Sequence, residues 1–174
     1  MIGYFDALCE AMGELGKDPR TIFMGQAVAF EGTTMSKTFR DVPREKLFEL
    51  PVFEDTQMGM AIGASLNGEI PICCYPRINF LLLAMSQLVL HLDKMATYSR
   101  GEHKPVVIVR TSIGSDRPMN PGVQHLGDYT GSIRDMLDYV HVRELFKPAD
   151  IVPAYRLALQ MGRPTMLVEH MDLY

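Results

Sequence analysis

The stretch Glu54-Asp55-Thr56-Gln57-Met58-Gly59-Met60-Ala61-Ile62-Gly63-Ala64-Ser65-Leu66-Asn67-Gly68 follows the short apolar piece Leu50-Pro51-Val52-Phe53 and reads as a helix. Its leading carboxylate sits where the macrodipole and the free backbone donors of a first turn favour negative charge. Ala61, Gly63, Ala64 and Gly68 give the helix a small-residue face that another backbone can approach closely. Pro71-Ile72-Cys73-Cys74-Tyr75 then reads as a fully buried strand. A helix feeding such a strand is the repeating unit of a parallel sheet.

The rest of the chain extends that unit in both directions. Tyr4, Phe5, Leu8, Cys9, Met12 and Leu15 recur at helical spacing, and Gly16 with Pro19 closes that helix. Thr21 to Val28 and Pro105 to Arg110 are compact apolar runs that predict buried strands. Tyr139 to Leu145 alternates, and Pro164 to His170 predicts a last strand. A helix runs from Pro148 to Met161, with proline at its first turn and Gly162 past its end. A long helix is expected from about Asn79 to Arg100, buried on nearly all sides, with His91 as a hydrogen-bonded core residue. Two stretches show no period, Ala29 to Glu49 and Ser112 to Tyr129, and long loops of that kind are often functional. The fold class is therefore α/β, a doubly wound, mainly parallel sheet with helices on both faces and ligands at the carboxyl ends of its strands.

Composition narrows the function. A chain of 174 residues makes one domain and buries roughly two-thirds of its unfolded surface. A net charge of −4 without a Lys/Arg cluster argues against nucleic acid. Cys73 and Cys74 are strand neighbours on opposite faces, and with Cys9 they build neither a disulfide framework nor a zinc site. Reduced thiols suit a cytoplasmic protein. Ile78 to Leu92 is strongly apolar but polar residues break it, and it falls short of the roughly 20 residues a span needs, so no membrane is expected. Neither Gly-x-Gly-x-x-Gly nor Gly-Lys-Ser/Thr follows any predicted strand, which disfavours an ordinary nucleotide-binding domain.

Taken in order, several short motifs resemble one family. They are Phe23-Met24-Gly25, Pro51 with Glu54, the glycine/alanine helix, Pro71-Ile72-Cys73, Asn79-Phe80, Ala84, Gln87, Lys94, Gln124-His125, Val168-Glu169 and Leu173-Tyr174. The chain resembles the pyrimidine-binding domain of thiamine diphosphate enzymes, closest to the beta subunit of 2-oxo acid dehydrogenases and to transketolases. The resemblance implies that Glu54 activates the cofactor, by hydrogen bonding to the aminopyrimidine ring and promoting the imino tautomer that deprotonates the thiazolium carbon. It implies that Phe80 stacks on the pyrimidine, that Val52 lines the same pocket, and that His125 reaches the substrate or its acyl intermediate. An imidazole suits proton exchange near neutral pH.

Departures from the family pattern leave the substrate open. Gln26-Ala27 stands where the beta subunits carry a pair of acids. Arg77 falls in a loop that is usually uncharged, and both an anionic-substrate contact and a surface ion pair fit it. Ser115 to Pro121 is longer and more polar than the family loop, and substrate choice is expected there. The order His125-Leu126-Gly127 also resembles the sugar-phosphate branch.

The family's metal motif is Gly-Asp-Gly with a later Asn. Gly127-Asp128-Tyr129 lacks the third glycine, so no metal is expected on this chain. The expectation is a single pyrimidine-binding domain over residues 1–174, without the diphosphate-binding or C-terminal domain. The resemblance implies thiamine diphosphate shared with an alpha-type partner that carries Mg2+, in an α2β2 assembly acting on a 2-oxo acid or a ketose (phosphate). The competing expectation is a non-catalytic scaffold that stabilises a thiamine enzyme.

Overall fold

Strands β1 (Thr21–Gly25), β2 (Leu47–Glu49), β3 (Ile70–Tyr75), β4 (Ile108–Ile113), β5 (His141–Glu144) and β6 (Thr165–His170) form one sheet in the order β2-β1-β3-β4-β6-β5. Every pairing is parallel. The computed structural model describes residues 2–30, 32–117 and 119–174. Pro118, in the polar loop expected to govern substrate choice, lies outside the described residues, as does Glu31 in the first expected loop.

Helices α1 (Tyr4–Gly16) and α7 (Pro148–Gln160) cover one face of the sheet. There Leu8, Met12, Leu15, Ile151 and Tyr155 meet Phe23, Ile72, Cys74, Ile108 and Leu167. Helix α3 (Glu54–Leu66) and the segment after β3 cover the other, with Met58, Ile62, Leu81 and Leu88 on Met24, Cys73, Val109 and Val168. The doubly wound sheet is as the sequence predicts, and Cys73 and Cys74 do face opposite cores. All three thiols are free and buried. Burial pushes the Cys73 thiol up to about 11, so it is inert at neutral pH.

Within one face lies a buried ion pair. Arg110 on β4 donates through Nε to Glu169 Oε1 at 2.7 Å and through Nη2 to Oε2 at 3.0 Å, and both side chains are fully buried. Thr38 Oγ1 takes Nη1 at 2.8 Å, and the Tyr155 and Tyr174 hydroxyls also donate to Glu169. Burial works against the Arg110 charge, but Glu169 outweighs it and holds the guanidinium well above its usual range.

Several elements differ from expectation. The long helix is broken. Helix α4 (Ile78–Leu81) passes into a 3-10 turn (Leu82–Ala84) and a π segment (Ser86–Leu92), with a 61° bend, and then into α5 (Met95–Tyr98). Its buried residues Ile78, Leu81 and Ala84 are spaced by three, then Leu88 and Leu92 by four. Spacings of three and four keep all five on one helical face and leave the opposite side to solvent. The segment is consequently not buried on all sides. Leu82, Leu83 and Leu90 are exposed, and His91 is an exposed residue rather than a core one.

Strand β1 stops at Gly25, whose φ of +144° departs from the ladder. Strand β4 begins only at Ile108, because the Ser65 hydroxyl engages the backbone of Val106. The first expected loop contains helix α2 (Thr34–Lys37) and edge strand β2. The second is followed by an unforeseen helix, α6 (Thr130–Asp135). Among the described residues no single helix is long and apolar enough to cross a membrane. None of their His, Cys, Asp and Glu side chains form a group of three placed for a metal ion.

Candidate active site

Glu54 opens α3 at the carboxyl end of the sheet and is 4% exposed. Two long-range contacts set it. The Tyr75 hydroxyl, from the last residue of β3, donates to the Glu54 carbonyl at 3.0 Å and ties the start of α3 to the sheet. Burial pushes the Tyr75 phenol far above its usual range, so it remains a donor at any ordinary pH. Gln26, just past β1, donates Nε2 to Glu54 Oε1 at 3.3 Å.

Gln26 is held in turn by the edge strand. The Glu49 carboxylate, at the end of β2, accepts the backbone amides of Ala27, Val28 and Ala29 at 2.7, 2.8 and 2.8 Å. This gathers the chain after β1 into a tight loop in which Ala27 adopts φ +55°. A side chain on Gly25 would meet the Cys74 carbonyl oxygen at 2.3 Å, so only glycine fits the approach of this loop to β3. Gln57, one turn beyond Glu54, donates to that same Cys74 carbonyl at 2.8 Å, while its own Oε1 is buried without a partner.

The second group stands beyond the end of β3. His125 lies in a 3-10 turn (Val123–His125), its Nδ1 3.3 Å from Asn79 Oδ1. Its ring is 5.4 Å from that of Phe80, tilted by 54°. The His125 backbone rests directly on Gly114, just past β4, where an added Cβ would stand 2.0 Å from the His125 carbonyl oxygen. The structure therefore brings Phe80 and His125 together, with Asn79 as the tie. No hydrogen bond joins that pair to Glu54 among the described residues. Val52 is 74% exposed, so a pocket wall made by it requires a second surface.

Sequence reasoning picked out Glu54, Phe80, His125 and Asn79. It did not assign roles to Gln26, Glu49, Gln57 or Tyr75, whose partners lie 17 to 28 residues away. Gln26 alone gave a signal, as a departure from the acids usual at its position.

The whole chain, residues 1–174, matches the family described as "Transketolase, pyrimidine binding domain", and the chain belongs to it. Among curated proteins it is 28% identical to the pyruvate dehydrogenase E1 component subunit beta of Chaetosphaeridium globosum, over 98% of this chain and 52% of that one. It is 25% identical to the subunit of the same description from Mycoplasma pneumoniae, over 97% and 52%. The chain thus spans about half the length of these relatives. A solved structure titled "Split gene transketolase, inactive beta4 tetramer" superposes with a TM-score of 0.73 at 18% identity, over 98% of this chain and 51% of that one. At that identity the likeness speaks for the fold.

Proposed function

We propose that the chain is the pyrimidine-binding, beta-like half of a split thiamine diphosphate enzyme. Its reaction breaks or makes a bond beside a carbonyl, by 2-oxo acid decarboxylation or ketol transfer. The observation that carries this reading is the Glu54 carboxyl group, buried at the head of α3 yet, among the described residues, with only Oε1 engaged, by a single long hydrogen bond from Gln26. A carboxyl group so placed has an oxygen free for a ring nitrogen, which fits the cofactor's aminopyrimidine. When bound, the cofactor supplies the carbon nucleophile that the protein side chains lack.

Each residue then has a defined task. Glu54 holds and exchanges a proton at the ring nitrogen, with Gln26 fixing the carboxyl plane. Phe80 offers an aromatic face for stacking. His125, aligned by Asn79 and Phe80, exchanges a proton with the substrate oxygen. Gly114 leaves the room for the His125 backbone to cross the end of β4.

A separate alpha-type, diphosphate-binding chain completes the site in this reading, carries Mg2+ and joins this chain in an α2β2 assembly. The exposed apolar side chains Val52, Phe53 and Met60 at and along α3, with Leu82, Leu83 and Leu90 on the bent segment packed against it, suit such a partner. The neighbour's title, an inactive tetramer of beta chains, fits a half-site that is silent alone.

The test is to co-express a chain bearing Gly-Asp-Gly and the later Asn, and to measure thiamine diphosphate and magnesium binding by calorimetry. Tight binding is expected only for the pair. Glu54→Gln in that pair is expected to slow turnover by about 10²- to 10⁴-fold. An unchanged rate, or no binding by the pair, would leave the chain a scaffold.

A further inference from the structure

We propose that Arg77 is the anchor for an anionic group on the carbonyl substrate, a carboxylate or a phosphate, and thereby selects charged substrates at this site. The inference rests on the functional reading above and extends it to substrate class.

Arg77 directly follows the turn out of β3, and its place is fixed. The Ser112 hydroxyl donates to the Pro76 carbonyl at 2.6 Å, and Arg77 itself is extended, with φ −142° and ψ 147°. Its side chain runs toward the end of β4, where its Cδ lies 3.6 Å from the point at which a Gly114 Cβ would sit. The His125 carbonyl oxygen approaches that same point to 2.0 Å. Bare Gly114 therefore seats two things side by side, the stem of Arg77 and the backbone of the histidine proposed to meet the substrate. Asn79 and Phe80, which hold that imidazole, come two and three residues after Arg77.

Among the described residues the guanidinium has no counter-charge. Its Nε is buried without a hydrogen-bond partner, and no carboxylate lies within ion-pair distance among the described residues. Asp116, two residues past Gly114, makes no pair with it. Arg20, Arg40, Arg110, Arg134, Arg143 and Arg156 each have a carboxylate. Arg163, whose Nε is also buried without a partner, lies 5.2 Å above the Tyr139 ring. Arg77 has neither. A guanidinium stays charged at all ordinary pH and presents a planar fork matched to carboxylate or phosphate oxygens. Desolvating one of its N–H groups without a partner is costly unless a ligand completes it.

The experiment reads the Arg77 side chain directly. The Nε–Hε resonances of the 15N-labelled chain are followed during titration with pyruvate, with inorganic phosphate and with neutral hydroxyacetone, and the Arg77 peak is assigned by its loss in Arg77→Gln. A saturable shift confined to that peak with pyruvate or phosphate, and none with hydroxyacetone, is expected. Whichever anion acts identifies the carboxylate or the phosphate. No shift with either anion, or one shared by all arginine peaks, overturns the proposal.

In the assembled enzyme, Arg77→Gln should raise KM for the anionic carbonyl substrate roughly ten- to a hundredfold. The loss should be much smaller with a neutral carbonyl, and Arg77→Lys should fall between. An equal loss on both substrates sinks the idea. Should the pair not bind the cofactor, the functional reading fails, while the side-chain titration still decides whether Arg77 takes an anion.

Discussion

Gln26 and Glu54, 28 residues apart, meet at 3.3 Å across the carboxyl end of the sheet, amide nitrogen to carboxyl oxygen. A neutral amide orients the carboxyl group without competing for its charge. Gln26→Leu should remove that restraint and leave the fold intact. Loss of one ordinary hydrogen bond, about 1 kcal/mol, predicts a roughly fivefold fall in turnover of the assembled enzyme. Steady-state rates beside an unchanged melting temperature would bear this out, and a rate equal to the parent would show that Gln26 is idle.

Glu49 gathers three amides of the neighbouring loop with one carboxylate. Glu49→Ala should leave those donors without their acceptor and cost about 2–3 kcal/mol, given the strength of hydrogen bonds to charge. Urea denaturation measures it. Because Gln26 belongs to the same loop, cofactor affinity should fall in the same variant.

Gly114 carries the crossing of β4 by His125. Gly114→Ala would set a methyl 2.0 Å from a carbonyl oxygen, so the turn must move. The Phe80–His125 contact should be lost, visible as a change in the imidazole resonances, and turnover should drop more than tenfold at little cost in secondary structure.

Asp93 is buried and accepts the amides of Asp138, Tyr139 and Val140 at 3.1, 2.7 and 2.8 Å, with Lys94 at 2.7 Å. Burial alone would raise its pKa, but Lys94 and the amides outweigh burial and hold it below the ordinary 3.8. A carboxyl group depressed in the folded state stabilises above its unfolded pKa. That stabilisation fades as pH falls from about 4 toward the folded value. Asp93→Asn should destabilise the chain at neutral pH by about 2–3 kcal/mol and flatten this acid limb in melting curves taken from pH 6 downward.

Removing one partner of the Arg110–Glu169 pair strands a buried charge. Glu169→Ala should cost about 3–5 kcal/mol, well beyond an exposed pair such as Arg40–Asp6. Chemical denaturation of Glu169→Ala beside Asp6→Ala makes the comparison.

Much of this was legible in the chain itself. Alternation of apolar runs with helical periods gives the doubly wound sheet, and Glu54, Asn79, Phe80 and His125 stand in recognisable motifs. Other features were hidden because their cause is distant in sequence. Val106 reads as strand, and only the Ser65 hydroxyl, 41 residues earlier, removes it. Leu47-Phe48-Glu49 is too short to show a period, yet it pairs with β1 and holds the loop beside the site. Ile78 to Leu92 is apolar on several faces, so its composition cannot say where the helix tightens and widens. Arg77 is open between a surface ion pair and an anion contact, and its buried, unpartnered Nε, with no carboxylate within ion-pair distance among the described residues, favours the second.

The three residues of β2 form an edge strand that pairs on one side only. Short edges fray before interior strands, so amide exchange there should run through local opening rather than whole-molecule unfolding. Each such excursion would carry Glu49 away and slacken the grip on Gln26. The rim of the molecule thereby sets the stiffness of the buried Glu54 carboxyl group.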